Sequence, residues 1–223
     1  MARLLAAADS AILVELDEPA GSASVLALEA ALRSAAVPGL TETVPGLASL
    51  LVEYDCLQTS HAGVALAIEV ALGALPATRG GVWGGPAGRA VVLPLCVDAD
   101  LAPDLAEVAQ RCGVGSAVAV ELICSVEHRV AMLGNLPGLP YLTGLPEVLS
   151  MPRRDEPRES VAAGSVAIAA GLTCIYPVRA PGGWHVVGRT VDDLFDAQRD
   201  PPCLLTPGDR VRFEPVGRGR LGL

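Results

Sequence analysis

Fifteen residues, LPATRGGVWGGPAGR at positions 75–89, constrain this chain more than any other stretch. They hold five glycines and two prolines and follow directly on a segment of helical period. No regular element runs through such a sequence, because glycine adds backbone freedom and proline removes an N–H. The run therefore divides the 223 residues into two expected domains, residues 1–85 and residues 86–223. Both parts are long enough to build a core of their own.

The first part alternates elements at short intervals. AILVEL (11–16) reads as a strand, and GSASVLALEAALRSAAV (21–37) as a helix with Ser22 or Ser24 as candidate N-cap and Pro38-Gly39 as its stop. LTETVPG and SLLVEYD follow as two strands joined at Pro45-Gly46, and TSHAGVALAIEVALGAL (59–75) has helical period again. That order, β-α-β-β-α, is most of a ferredoxin-like split βαβ unit. A final strand is expected from residues 89–97. In the second part, PDLAEVAQRCGVGSAVAVELICSV reads as two short helices broken at Gly113-Val114-Gly115. From residue 128 onward, short aliphatic runs are separated by Gly and Pro turns, the spacing of a β-barrel or sandwich. The fold class is thus α+β.

Net charge is −9 and no basic stripe is present, which argues against nucleic acid as a partner. All sixteen basic residues are arginine, with mild clusters at Arg153, Arg154 and Arg158 and from Arg210 to Arg220. No apolar run reaches the roughly 18 residues that span a bilayer, so no membrane is expected either. The hydrophobic half of the composition is then a buried core or a large interface with another chain. Six cysteines show no paired or zinc-like spacing and lie mostly in apolar runs, which points to a reduced, cytoplasmic protein.

Chemistry-bearing residues are sparse. His61 opens a predicted helix after Thr59-Ser60, His128 reads as part of an exposed turn, and His185 begins a strand after PGGW. Of the three, His185 is the best functional candidate, and they are too scattered for a metal site. The carboxylate pairs Asp98/Asp100, Asp155/Glu156 and Asp192/Asp193 read as solvated turns. GRGRLG at 217–222 has the spacing of a phosphate loop, but no helix follows it, and without lysine there is no P-loop.

One region is denser. NLPGLPYLTGLP (135–146) is stiff and apolar, unlike a flexible linker. It continues into EVLSMPRRDEPRESVAAGSVAIAAGLTCIYPVRAPGGWHVVGRTVDDLFD, and PPCLLTPGDRVRFEPV closes the stretch. These residues resemble the signature of the 5-oxoprolinase B-subunit family, also called allophanate hydrolase subunit 1, which includes KipI-type inhibitors of sensor histidine kinases. The resemblance implies a small N-terminal α/β domain, which the element order reads as ferredoxin-like, and a C-terminal cyclophilin-like β-barrel. It implies one component of an ATP-dependent cyclic amide hydrolase that opens 5-oxoproline to glutamate. ATP, with magnesium, would be a co-substrate, and no cofactor would be tightly bound. The implied partners are a homologue of the 5-oxoprolinase C subunit (allophanate hydrolase subunit 2) and an unrelated A subunit, with a sensor histidine kinase as partner under the inhibitor alternative. Allophanate hydrolysis is the other alternative.

The expected catalytic residues are Arg189 and Tyr176, carried over to matching positions of the resemblance, with His185, the best candidate among the histidines. Substrate or nucleotide would meet Pro137, Gly138, Pro140, Tyr141, Gly164, Ser165, Thr173, Gly182, Gly183 and Trp184. Glycines let backbone amides approach an anion, and arginine pairs with carboxylate or phosphate in a two-point fork. The chain departs from the family pattern at Leu139, Leu172, Cys174 and Ala180, where Phe, Gln, Gly and Ser are common.

Overall fold

The computed structural model describes residues 2–17, 21–75, 88–191 and 193–222. They form two compact units, Met1–Ala87 and Gly88–Leu223. The Gly/Pro-rich segment falls largely, at 76–87, outside the described residues.

The first unit is an antiparallel four-stranded sheet carrying two helices. In chain order these are β1 (Ala2–Ala8), β2 (Ala11–Leu16), α1 (Gly21–Ser34), β3 (Leu40–Pro45), β4 (Ser49–Tyr54) and α2 (His61–Ala74). The sheet order is β1-β2-β4-β3, so β2 and β3 are joined through α1 and separated by β4. The order of elements is therefore β-β-α-β-β-α, not the expected β-α-β-β-α with a strand from 89–97 added at the end. The place beside β2 is taken by β1, which folds back over the two-residue turn Asp9-Ser10. Alternation along β2 and β4 turns Ile12, Val14, Leu50 and Val52 inward, onto Val25, Leu28 and Leu32 of α1 and Val64 and Ile68 of α2. The helix α1 opens at Gly21, so Ser22 and Ser24 lie inside its first turn rather than at its cap. Ser60 caps α2, its hydroxyl accepting from the Gly63 N–H at 3.2 Å. On the other side of α2, Leu66 and Val70 stay exposed.

The second unit is built on a seven-stranded sheet. Its elements are β5 (Ala90–Leu95), α3 (Leu105–Arg111), α4 (Ser116–Ser125), β6 (His128–Leu133), β7 (Pro140–Thr143), β8 (Arg158–Val161), β9 (Ser165–Ala169), β10 (Leu172–Ile175), β11 (Ala180–Gly182), β12 (His185–Arg189) and β13 (Arg210–Pro215). The order β12-β9-β10-β7-β6-β13-β5 leaves β5 and β12 at the two ends. A single bridge, Cys96 to Arg189, joins those ends, so the sheet curls into a nearly closed barrel. β8 and β11 form a separate ribbon. Leu93, Leu95, Val130, Leu142, Val166, Ile168, Ile175, Val187, Val211 and Phe213 face one core, to which α3 and α4 add Leu105, Val108, Ala119 and Ile123. No single described helix is long and apolar enough to cross a membrane, and α3 and α4, bent by 92°, bury apolar residues in this core.

His128 is not on an exposed turn. It is fully buried at the start of β6, edge-on to Phe213, and its Nε2–H donates to the Ile123 carbonyl at 2.9 Å. Burial, only partly opposed by that bond, lowers its pKa from the usual 6.5. The unfolded chain thus takes up the proton first. Stability is full above about pH 6.5 and falls as pH drops toward the folded value. In His128→Gln that part of the pH slope should vanish, as read from urea unfolding at a series of pH values.

Candidate functional site

The residues singled out in the sequence fall into three groups in the barrel unit, not one. The first is an aromatic cluster on the face of the sheet opposite the main core. Strand alternation sends Thr173 and Ile175 to the main core side and Leu172, Cys174 and Tyr176 to the other. There they meet Leu139, Val161, Trp184 and Val186. Tyr141 stands edge-on to Trp184 at 5.7 Å between ring centres, and the Arg153 guanidinium lies 6.0 Å from the Trp184 ring. The Cys174 thiol and the Tyr176 hydroxyl are both pushed well up in pKa, chiefly by burial. Tyr141 is raised for the same reason. These groups stay protonated at neutral pH, so they can cover a ligand or donate to it but cannot act as anions. Leu139, Leu172, Cys174 and Ala180, the departures from the family pattern, all belong to or border this one cluster.

Two glycines are required here by space. Gly138 adopts φ +74°, and a Cβ on it would sit 2.7 Å from the Phe195 Cβ. The stiff 135–146 segment is thereby held close against residues 194–195, with Pro137 exposed and Gly138 and Pro140 buried. A Cβ on Gly182 would lie 2.1 Å from the Tyr176 hydroxyl. Gly182→Ala should therefore displace a buried tyrosine and cost about 1–3 kcal/mol, as overpacking does. Urea unfolding measures it, and an unchanged midpoint would mean that Tyr176 moves aside freely. Gly183 lies beside Pro157, and its carbonyl accepts from the Arg154 N–H.

The second group lines a cleft of about 130 Å3 beside the barrel seam, bounded by Asp100, Pro103, Arg158, Ser160, Ser165 and Arg189 among others. Ser165 and Arg189 are register partners on β9 and β12, which places them side by side. The neighbouring Gly164 donates its N–H to the Tyr176 carbonyl and accepts from Thr190. Both main-chain groups of Arg189 bond to Cys96 across the seam, while its side chain has no ion-pair or hydrogen-bond partner among the described residues.

The third group, about 250 Å3 of polar cleft, is lined by Glu107, Arg111, Arg154, Asp155, Glu156 and His185. His185 is buried, its Nε2–H donates to the Pro152 carbonyl at 3.1 Å, and its Nδ1 has no partner among the described residues. Arg189 and His185 thus open onto different clefts. Thr173 reaches neither: it is fully buried with its hydroxyl unpaired.

A residue absent from the sequence-based set connects the two clefts. Asp104, just before α3, is 2% exposed. Its carboxylate accepts from Arg154 (2.9 Å), from both terminal nitrogens of Arg158 (2.6 and 2.8 Å) and from the Val186 N–H (2.7 Å). The Asp104 N–H returns to the Val186 carbonyl. Asp104 thereby satisfies the open edge of β12 where the neighbouring strand is missing, and it fixes one arginine in each cleft. Bonding to Asp104 is the main cause of a raised Arg158 pKa. Of the carboxylate pairs, Asp98 and Asp100 both hold Arg218 at the surface, Asp155 and Glu156 line the polar cleft, and Asp192 lies outside the described residues. No group of three or more His, Cys, Asp or Glu among the described residues is arranged to hold a metal ion.

With this geometry in hand, residues 2–205 match the carboxyltransferase domain family, subdomain C and D. The chain belongs to that family. Among its members, the 5-oxoprolinase B subunit of Escherichia coli O157:H7 is 39% identical over 98% of both chains. The 5-oxoprolinase B subunit of Bacillus subtilis is 33% identical over 92% of this chain and 89% of that protein. Of solved structures, TTHA0988 superposes with a TM-score of 0.75 at 34% identity over 97% of this chain, which spans only 40% of the TTHA0988 chain. The K. lactis urea amidolyase superposes with a TM-score of 0.73 over 99% of this chain and 15% of its own. At 21% identity that likeness speaks for the shared carboxyltransferase fold alone.

Proposed function

We propose that the chain is the B subunit of an ATP-dependent 5-oxoprolinase, converting 5-oxo-L-proline and ATP to L-glutamate, ADP and phosphate together with a C subunit and an A subunit. The observation that carries this reading is the 39% identity to a 5-oxoprolinase B subunit across essentially the whole of both chains. Allophanate hydrolysis has less support, since the urea amidolyases of Lachancea kluyveri and Saccharomyces cerevisiae are 40% and 42% identical over only 26% and 24% of this chain. Nothing in the barrel favours the kinase-inhibitor alternative. Within this reading the barrel is cyclophilin-like, and fold by itself assigns it no isomerase chemistry.

Arg189 and Ser165 are the residues assigned to the substrate, because they share a cleft and the arginine is uncommitted. Tyr141, Tyr176 and Trp184 offer a protonated aromatic wall fit for an apolar ring. Neither cleft is large enough for a whole nucleotide, since pockets enclosing a drug-sized ligand run to roughly 300–1,000 Å3. Within this reading ATP is handled jointly with another component of the enzyme. Exposed Leu66 and Val70 on α2 and Val92 on β5 suit a chain that works in an assembly. The test is affinity purification of the tagged chain with the products of its neighbouring genes. The preparation should contain a C-subunit homologue and release phosphate from ATP only when 5-oxoproline is added. Phosphate release indifferent to 5-oxoproline would remove this reading.

A further inference from the structure

The seam cleft is framed by two guanidinium groups, not one. Arg158 reaches it from β8 and Arg189 from β12, with the Ser160 and Ser165 hydroxyls on the same lining. Arginine has five N–H donors. Arg158 spends two of them on Asp104, which leaves three without a partner among the described residues. Arg158 and Arg189 both line this cleft, and the buried carboxylate beside it, Asp104, is shared between Arg158 and Arg154 of the neighbouring cleft. Asp100, the acid on the rim, is paired with Arg218, which it shares with Asp98. The volume, about 130 Å3, suits a head group of a few heavy atoms.

We propose that this cleft is an oxyanion cradle that holds a carboxylate or phosphoryl group between Arg158 and Arg189, and that Asp104 positions Arg158 for it. The proposal deepens the 5-oxoprolinase reading, on which it rests for the identity of the ligand but not for the chemistry of the cradle. A free arginine would swing on four rotatable bonds. Asp104 holds the Arg158 fork by two parallel bonds and is itself fixed by the Val186 N–H, so a guanidinium that lines the cleft is held in place before a ligand arrives and binding costs little further entropy. Arg189 supplies the opposing donors, and Ser165, its neighbour in register, adds a hydroxyl. A carboxylate of the substrate and a phosphoryl group from ATP present the same oxygens to such a cradle.

Calorimetric titration of the full chain in chloride buffer tests this, with inorganic phosphate and 5-oxo-L-proline as separate probes. At least one should bind one-to-one. Phosphate alone assigns a phosphoryl group, 5-oxoproline alone a carboxylate, and mutual competition assigns both to one place. Arg189→Ala and Arg158→Lys should each weaken binding about tenfold or more, as loss of a charged hydrogen bond does. Asp104→Asn should weaken it as Arg158→Lys does, and the double variant should bind no worse than either single one. A purely structural Asp104 would lower stability without that coupling. Should Asp104→Asn not fold, Arg158→Lys, which keeps the charge, carries the test. Binding of neither probe, or binding indifferent to Arg189→Ala, overturns the cradle. A complex that makes glutamate while the cradle binds nothing overturns the cradle alone, and a working cradle in a complex without turnover overturns the 5-oxoprolinase reading alone.

Discussion

Replacing Asp104 by alanine is expected to cost the barrel unit about 3–5 kcal/mol, the range seen when one partner of a buried ion pair is removed. The size follows from what the carboxylate satisfies. It is buried, and it takes hydrogen bonds from Arg154, Arg158 and the Val186 N–H. Alanine leaves the Arg158 guanidinium, roughly three-quarters buried, without its counter-charge, Arg154 with only the longer contact to Glu107, and an edge N–H of β12 without an acceptor. Each unmatched buried group carries its own desolvation cost. Urea unfolding followed by circular dichroism gives the value. A loss under about 1 kcal/mol, the worth of a surface ion pair, would mean that water replaces the carboxylate freely.

Arg189→Ala is expected to act in the opposite way, on turnover and not on the fold. Arg189 is partly buried, its side chain has no partner among the described residues, and the bridge to Cys96 is made by main-chain atoms that alanine keeps. Unfolding free energy should therefore change by less than about 0.5 kcal/mol, as for surface substitutions away from special features. In the assembled complex, loss of a two-point carboxylate or phosphate contact should lower kcat/KM for 5-oxoproline by about 100-fold, since misplacing a reactant by an ångström costs that much. Steady-state kinetics separates the effects. A raised KM at constant kcat marks ground-state binding, and a lowered kcat marks alignment of the reacting groups.

What could be read from the sequence depended on how far apart the interacting residues lie. Strand β2 and the break between α3 and α4 follow from local alternation and from Gly113 and Gly115, and both stand where the pattern puts them. Strand β1 was hidden because ARLLAAA is rich in alanine, a weak strand former, and its turn is Asp-Ser rather than Asp-Gly. β5 has a clear strand pattern, but its parallel partner β13 is over a hundred residues away, so the pattern alone could not assign it to the second sheet. His128 misled for the same reason: charged sequence neighbours suggested solvent, whereas Ile123 and Phe213 enclose it.

The candidate site divides along the same line. Ser165 and Arg189 were both visible as residues, and only the β9–β12 register places them together. Arg154 and Arg158 were visible as a mild basic cluster. Asp104 was not visible at all, because it reads as an ordinary helix cap and its partners lie 50, 54 and 82 residues onward. Its side chain does not cap α3. A lone acid ahead of a helix, combined with unpaired arginines elsewhere, is the signal that would have found it.

The most direct test of the account is omission. Reconstitution of the other components of the enzyme with and without this chain, followed by glutamate formation from 5-oxo-L-proline in the presence of ATP, asks whether the chain is a working part of it. The account predicts ATP-dependent glutamate release only when the chain is present. Release that continues undiminished in its absence would contradict it.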